Sequence, residues 1–286
     1  MGFYFRCGVL LFAVLSIVIS AGCPEHSSAQ QPVKRRRLLF IGQSMGWEHD
    51  SVSYAAGTIW KLGRDSGLWE TYIYTDCRPI TKKTLPTNQK NLDYFDAVIF
   101  FTSGELGMDD SQKADLLSFI KDDGKGFLGL HSASDTFYQW PAYGEMLGGY
   151  FDKHPWGRFD APLIVENPKF PGMGYLAPTF TLYDEIYQIK QFFRKNVEVL
   201  LRLDETKIDL KNPDVHRTDK EFPVIWASNY GKGRVLYNGL GHVEAVWDRP
   251  DIQQMVTEQI KWLLGIVPGN VTPGRLSVPP ISAQGR

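Results

Sequence analysis

At 286 residues, with 43% apolar and 22% charged residues, the chain has the make-up of a soluble globular protein of one large domain or two small ones. A formal net charge of −1 gives no general electrostatic case for a nucleic-acid or anionic-surface partner. Of three cysteines only Cys77 falls in the expected folded region, which excludes an intradomain disulfide and leaves stability to core burial.

In chain order, Arg6 precedes an apolar run from Val9 to Ile19, followed by Ser20-Ala21-Gly22-Cys23. The run is short for a membrane span and has the form of a signal-peptide core, so residues 1–30 are expected to be a signal peptide. The segment before Cys23 has the form of a lipobox, with Ser20 where Leu is usual; cleavage near Ser27-Ser28-Ala29 is the alternative. The basic cluster Lys34–Arg37 works against export, but the pattern as a whole points to an exported protein, periplasmic or anchored to the membrane through an N-terminal lipid. Residues 31–36 read as a linker, 37–266 as the folded domain, and the Pro/Gly/Ser-rich residues 267–286 as a disordered tail.

Within the domain, the apolar run Leu38–Gly42 predicts a buried strand. It leads into Trp47-Glu48-His49-Asp50 and a helix with Ala55, Ile59, Trp60 and Leu62 at helical spacing. Trp69–Tyr74 alternates as a strand, Tyr94–Phe101 is a second apolar strand, and Asp109-Asp110 opens a helix carrying Leu116, Leu117, Phe119 and Ile120. Gly126–Leu130 predicts a further buried strand that turns polar at His131, Ser132, Ser134 and Asp135, followed by a helix from Pro141 to Leu147. Strand alternating with helix to this point implies βαβ units, a mostly parallel sheet and an α/β fold. Beyond His154 the strands Phe159–Val165, Val197–Leu203, Phe222–Ser228 and Val235–Leu240 are expected, with a tight turn at Gly231-Lys232-Gly233-Arg234 and a closing helix over Ile252–Leu264.

Two histidines, His49 and His131, each follow a predicted strand and so fall at the carboxyl edge where open α/β sheets bind ligands. His154 sits in a Gly- and aromatic-rich loop, Glu185 and Tyr187 in a second polar cluster, and His242 after the strand ending at Leu240. His131, His154, Glu185 and His242 are the candidate catalytic residues, since imidazoles titrate near neutral pH and a carboxylate can orient them. Trp47, His49, Asp135, Trp156, Tyr187 and Trp247 are candidate substrate-binding residues, the tryptophans as flat platforms for sugar rings. No cofactor is identified by a local ligand spacing. A divalent metal such as zinc is the one these side chains suit.

Phe40-Ile41-Gly42 with Trp47–Asp50, Gly129-Leu130-His131-Ser132-Ala133, Leu147–Phe151 with His154-Pro155, Asp184–Tyr187, Pro223-Val224, and Gly231–Val235 running to Gly241-His242 together resemble the ThuA-like (trehalose utilisation) family over residues 37–265. The resemblance implies the class I glutamine amidotransferase-like fold, a flavodoxin-like three-layer sandwich. Amidotransferases of this fold carry Gly-x-Cys-x-Gly at the elbow, and here His131 stands at the cysteine's place. Without a thiolate, covalent glutaminase chemistry is lost, and amidotransferase activity is not expected.

The resemblance also implies carbohydrate catabolism, with a small sugar or an oxidised keto-glycoside as substrate and a sugar oxidoreductase as a partner in the same pathway. A ketone acidifies its neighbouring C–H, so a positioned base and an oxyanion-stabilising group would permit elimination or isomerisation. A lyase, isomerase or hydrolase is expected, hydrolysis needing an opposed carboxylate pair such as Glu185 and Glu244. The alternative is a non-catalytic carbohydrate-binding accessory protein of the cell envelope.

Overall fold

The computed structural model of the protein describes residues 1–4 and 35–275. The expected signal peptide from residue 5 on, including the lipid-site Cys23, lies outside the described residues.

Strand β1 (Arg36–Ile41) begins one residue into the expected linker, and its last four residues are buried. Helix α1 (Ser51–Ser66) follows and stops at Gly67, whose left-handed φ of 69° suits glycine. Next come β2 (Trp69–Tyr74) and the fully buried β3 (Ala97–Phe100). Helix α2 (Asp110–Lys121) opens with a reciprocal cap: Gln112 N donates to Asp109 Oδ1 at 2.7 Å, and Asp109 N donates to Gln112 Oε1 at 3.1 Å. Strand β4 (Gly126–Leu130) and helix α3 (Pro141–Leu147) match the expected limits, with Pro141 in the first turn, where its missing N–H costs nothing.

The second half is richer in strands: β5 (Tyr150–Lys153), β6 (Arg158–Val165), β7 (Thr179–Glu185), β8 (Gln188–Lys190), β9 (Glu198–Leu203), β10 (Pro223–Tyr230) and β11 (Gly233–Asn238), before helix α4 (Pro250–Leu263). The hairpin β10–β11 turns at Gly231, φ 60°, as its glycines imply. Strands β5 and β8 form a separate two-stranded sheet.

The main sheet has the order β2-β1-β3-β4-β11-β10-β9-β6-β7. The first five strands pair parallel, and β10, β9, β6 and β7 are added by antiparallel steps. Each antiparallel step reverses direction, so β9 and β7 again run with the parallel set. The carboxyl ends of β1, β3, β4, β11 and β7 therefore share one edge.

Alternate side chains of the central strands point to opposite faces. Leu38 and Phe40 pack with Ile59 of α1 and Met255 of α4; Leu39 and Ile41 pack with Phe119 of α2 and Met146 of α3. The result is the expected three-layer α/β sandwich with a mostly parallel sheet.

Residues 267–275 belong to the stretch expected to be disordered, yet they are tied to the domain. Trp262 Nε1 donates to Gly269 O at 2.9 Å, Thr272 N to the buried Glu198 Oε2 at 2.7 Å, and Gly274 N to Val197 O at 3.0 Å. A buried carboxylate demands donors, and composition does not reveal that this stretch supplies them.

Candidate active site

The loops after β1, β3 and β4 are stitched together. Met45 N donates to Ser103 O at 2.8 Å, Ser103 Oγ to Trp47 O at 2.6 Å, and Gly104 N to Asp135 O at 2.7 Å. Gly104 has φ 78°, and a Cβ there would lie 2.6 Å from Gly46 N, so glycine is what lets the two loops cross. The crossing turns His49 inward, where it is buried, and leaves Trp47 outside, 72% exposed.

His131 follows β4 directly and is fully buried at φ 38°, a left-handed conformation uncommon for a non-glycine residue. Two contacts hold it there. Its Nδ1–H donates to Gly239 O at 3.0 Å, and Tyr237 Oη donates to the His131 carbonyl at 2.6 Å. A carbonyl only accepts, so Nδ1 carries the proton and, in the neutral ring, Nε2 presents a lone pair.

Glu185 ends β7, and its neighbour Asp184 grips the loop after β11. Asp184 Oδ2 accepts from Gly241 N at 2.6 Å and Oδ1 from Val243 N at 3.0 Å, which brackets His242. Although β10, β9 and β6 stand between β11 and β7 in the sheet, the end of β7 thus meets the loop beyond β11.

These loops converge His131, His242, Glu185 and His49. His131 Nε2 lies 3.2 Å from His242 Nδ1 and 3.6 Å from Glu185 Oε2, and His242 Nδ1 lies 3.1 Å from the same carboxylate oxygen. His49 brings a ring nitrogen to within 4.8 Å of all three. Its Nε2 is 3.2 Å from Tyr187 Oη, while its Nδ1 is buried with no hydrogen-bond partner. Among the described residues, these four side chains form a group that could hold a metal ion, since each offers a nitrogen or oxygen lone pair.

Burial, then the neighbouring charges of His131 and His242, push the His49 pKa down to about 3, so that ring is neutral at pH 7. For Glu185, burial acts to raise the pKa, but contacts with His131 and His242 outweigh it and hold the carboxylate well below its usual range. Tyr187, whose ring centroid is 4.2 Å from that of His131, has its phenol raised far above its ordinary value by burial and stays a neutral donor.

The remaining expected site residues divide into rim and core. His154 stands at the rim, half-exposed, with Nδ1 3.9 Å from Glu185 Oε1. Asp135 lies nearby, its carboxylate accepting from Tyr138 Oη and its pKa raised by burial. Trp247, expected as a sugar platform, is 2% exposed and donates from Nε1 to Gly241 O at 3.1 Å, so it supports the His242 loop instead. Trp156 is likewise packed edge-on against Phe222, with Nε1 donating to Asp209 O at 3.1 Å. Trp247 offers no free face and Trp156 is half-buried; an aromatic residue beyond a strand carries no sequence signal for which way it turns. Trp47 alone of the three is open.

Asp184 is the functional residue that sequence patterns missed in this role. The adjacent Asp184-Glu185 pair is the signal, but nothing local separates an anchor from a site group. A surface cavity of about 580 Å³ lined by Pro141, Glu145, Gln191, Phe193, Asn196 and Tyr230 lies away from the histidines, at the far end of β10, and Glu145 is its single ionisable acid.

The ThuA family, described as trehalose utilisation, matches residues 37–263. Among solved structures, a ThuA-like protein from Bacteroides uniformis is 21% identical with a TM-score of 0.65, covering 82% of this chain and 94% of that one. A ThuA-like protein from Parabacteroides merdae is 15% identical with a TM-score of 0.61, covering 81% and 90%. A β-galactosidase from Bacillus circulans sp. alkalophilus is 11% identical with a TM-score of 0.50, covering 81% of this chain but 31% of the enzyme, a likeness of fold alone. No match is found among curated proteins. With the family match spanning nearly the whole domain, and the sandwich and His131 elbow in place, the chain belongs to the ThuA (trehalose utilisation) family.

Proposed function

We propose that the protein is an exported carbohydrate-catabolic enzyme that acts on a keto-glycoside by acid/base chemistry beside its carbonyl. The observation that carries this is the convergence of His131, His242, Glu185 and His49 at the carboxyl edge, with His154 on its rim. A buried, neutral imidazole beside an ionised carboxylate and further imidazoles is costly to assemble for packing alone, and perturbed groups of this kind concentrate at functional sites.

Each group has a distinct task. His154, half-exposed at the rim, is the base for the C–H next to the ketone. Glu185 Oε1 faces His154 and orients it, while Oε2 faces the inner histidines. Tyr187, kept neutral by burial, supplies a donor to developing negative charge. Abstraction of the proton α to the carbonyl leads to elimination of the glycosidic oxygen or to isomerisation. The class of reaction that supplies such a substrate is oxidation of a sugar hydroxyl by a sugar oxidoreductase.

A carbohydrate-binding accessory protein would need an aromatic groove, and the burial of Trp247 with the packing of Trp156 against Phe222 argues against it. Incubating the purified protein with 3-keto-disaccharides and their unoxidised parents, with products followed by NMR and mass spectrometry, tests the proposal. Turnover of the keto forms supports it. Saturable binding with no turnover favours the accessory role.

A further inference from the structure

We propose that His49, His131, Glu185 and His242 form a binding site for one divalent metal ion of the zinc class. The site deepens the enzymatic reading above but stands on geometry alone, so it can be tested without substrate.

The first support is spacing. His131 Nε2, His242 Nδ1 and Glu185 Oε2 form a triangle with sides of 3.1, 3.2 and 3.6 Å. Ligands at about 2.0–2.1 Å from a tetrahedral zinc ion stand about 3.3 Å apart. The three donors thus already occupy the spacing of one face of such a sphere. His49 comes from a fourth loop to complete the set within 4.8 Å.

The second support is the direction of the lone pairs. His131 Nδ1 is committed to Gly239 O, so in the neutral ring Nε2 faces the centre as an acceptor. Glu185 Oε2, an acceptor, faces the same point. A metal-bound imidazole whose other nitrogen donates to a backbone carbonyl is the usual arrangement around such ions. Acceptors meeting at this separation need either a hydrogen or a cation between them.

The third support is independent of both. His49 is 95% buried by its 5% relative exposure, and one of its nitrogens has no hydrogen-bond partner. A buried polar atom without a partner is costly, and ligation gives the ring a use for its burial. Asp184 fixes the His242 loop from behind, which is how ligand position is commonly held. Three imidazoles and one carboxylate suit zinc and neighbouring first-row ions rather than calcium or magnesium, which take oxygen ligands. The side chains of Glu185 and His242 are 11% and 17% exposed, so one side of the cluster faces the His154 rim and remains reachable.

The test is metal content and spectroscopy of the whole purified chain. After chelation and reloading with zinc, mass spectrometry of the metal is expected to find about one ion per chain, with a raised Tm. Glu185→Gln and His49→Ala should each fall to less than about a tenth of that, with circular dichroism confirming that they fold. His216→Ala, whose ring is paired with Asp152 and is not one of the four grouped side chains, should keep full stoichiometry. Cobalt loading should give visible absorption bands that are lost in the same two variants. No zinc retained by the wild-type chain, or equal retention by the Glu185 and His49 variants, overturns the site. Either failure leaves the carbohydrate reading standing, because that is judged by turnover and not by metal content.

Discussion

Asp184 clasps the backbone on both sides of His242: its two carboxylate oxygens accept from Gly241 N and Val243 N at 2.6 and 3.0 Å. Because Glu185 is the next residue, one dipeptide at the end of β7 both positions a histidine and joins it. The coupling makes the site sensitive to a residue that faces no substrate. Asp184→Asn can offer only one accepting oxygen and leaves a buried N–H facing an amide. We expect a loss of about 1–3 kcal/mol, read as a Tm lowered by about 3–10 °C, and a fall in activity of about 10–100-fold. Thermal melts and turnover of the same preparation check both.

Gly104 provides a second route to the site from a distance. Its left-handed φ of 78°, and the Gly46 backbone 2.6 Å from where a Cβ would stand, mean that Gly104→Ala must push the loop carrying His49. The left-handed conformation alone costs about 1–2 kcal/mol for a residue with a Cβ. Reduced stability together with reduced activity is expected. Activity equal to wild type would show that His49 need not be held where the loop crossing puts it.

Cys77 is buried, and burial, then the Asp76 charge, push its thiol up to about 12. The native state therefore holds this proton more tightly than the unfolded chain, whose thiol ionises near 9.0. Cys77 thus contributes stability that is complete below about pH 9 and declines as pH rises from there towards 12. At pH 8 a thiol reagent should label Cys77 only after unfolding in denaturant. Rapid labelling of the native protein would show the thiol to be reachable.

Glu198 anchors the chain end through Thr272 N at 2.7 Å and Arg275 Nη1 at 3.2 Å, and also accepts from Asn167 Nδ2 at 2.8 Å. Glu198→Ala leaves the buried Asn167 amide without its partner, a loss of about 1–3 kcal/mol. Protease cleavage within residues 268–275 should then become faster than in the wild type. Unchanged cleavage would mean that the remaining bonds, such as Trp262 Nε1 to Gly269 O, hold the segment unaided.

What could be foreseen follows physical rules that act locally. The apolar runs Leu38–Ile41 and Gly126–Leu130, the Asp109 cap and the glycine turn at 231 each specify their element through neighbouring residues, and the edge carrying His131 and His242 follows from strand direction. What could not be foreseen depends on long-range geometry. Strands β5 and β8, four and three residues long, are too short to show a period. The burial of Trp247 depends on Gly241 φ 103° bringing backbone against its indole. The loop carrying His49 is legible in the sequence, but its crossing at Gly104, which turns the ring inward, is not. Glu185 reaches the cluster from a strand at the sheet's outer edge, a juxtaposition that no local spacing encodes.

The most direct test of proton chemistry beside a carbonyl is solvent-deuterium incorporation. A 3-keto-disaccharide is incubated in D2O with the wild-type protein and with His154→Gln, and the hydrogen on the carbon next to the ketone is followed by proton NMR. We expect the wild type to remove that hydrogen, by exchange for deuterium or by elimination on the way to product, and His154→Gln to slow this by at least about 100-fold, the low end of the contribution of a positioned base. Turnover in which that carbon keeps its original hydrogen, or an undiminished rate in the variant, would contradict the assignment.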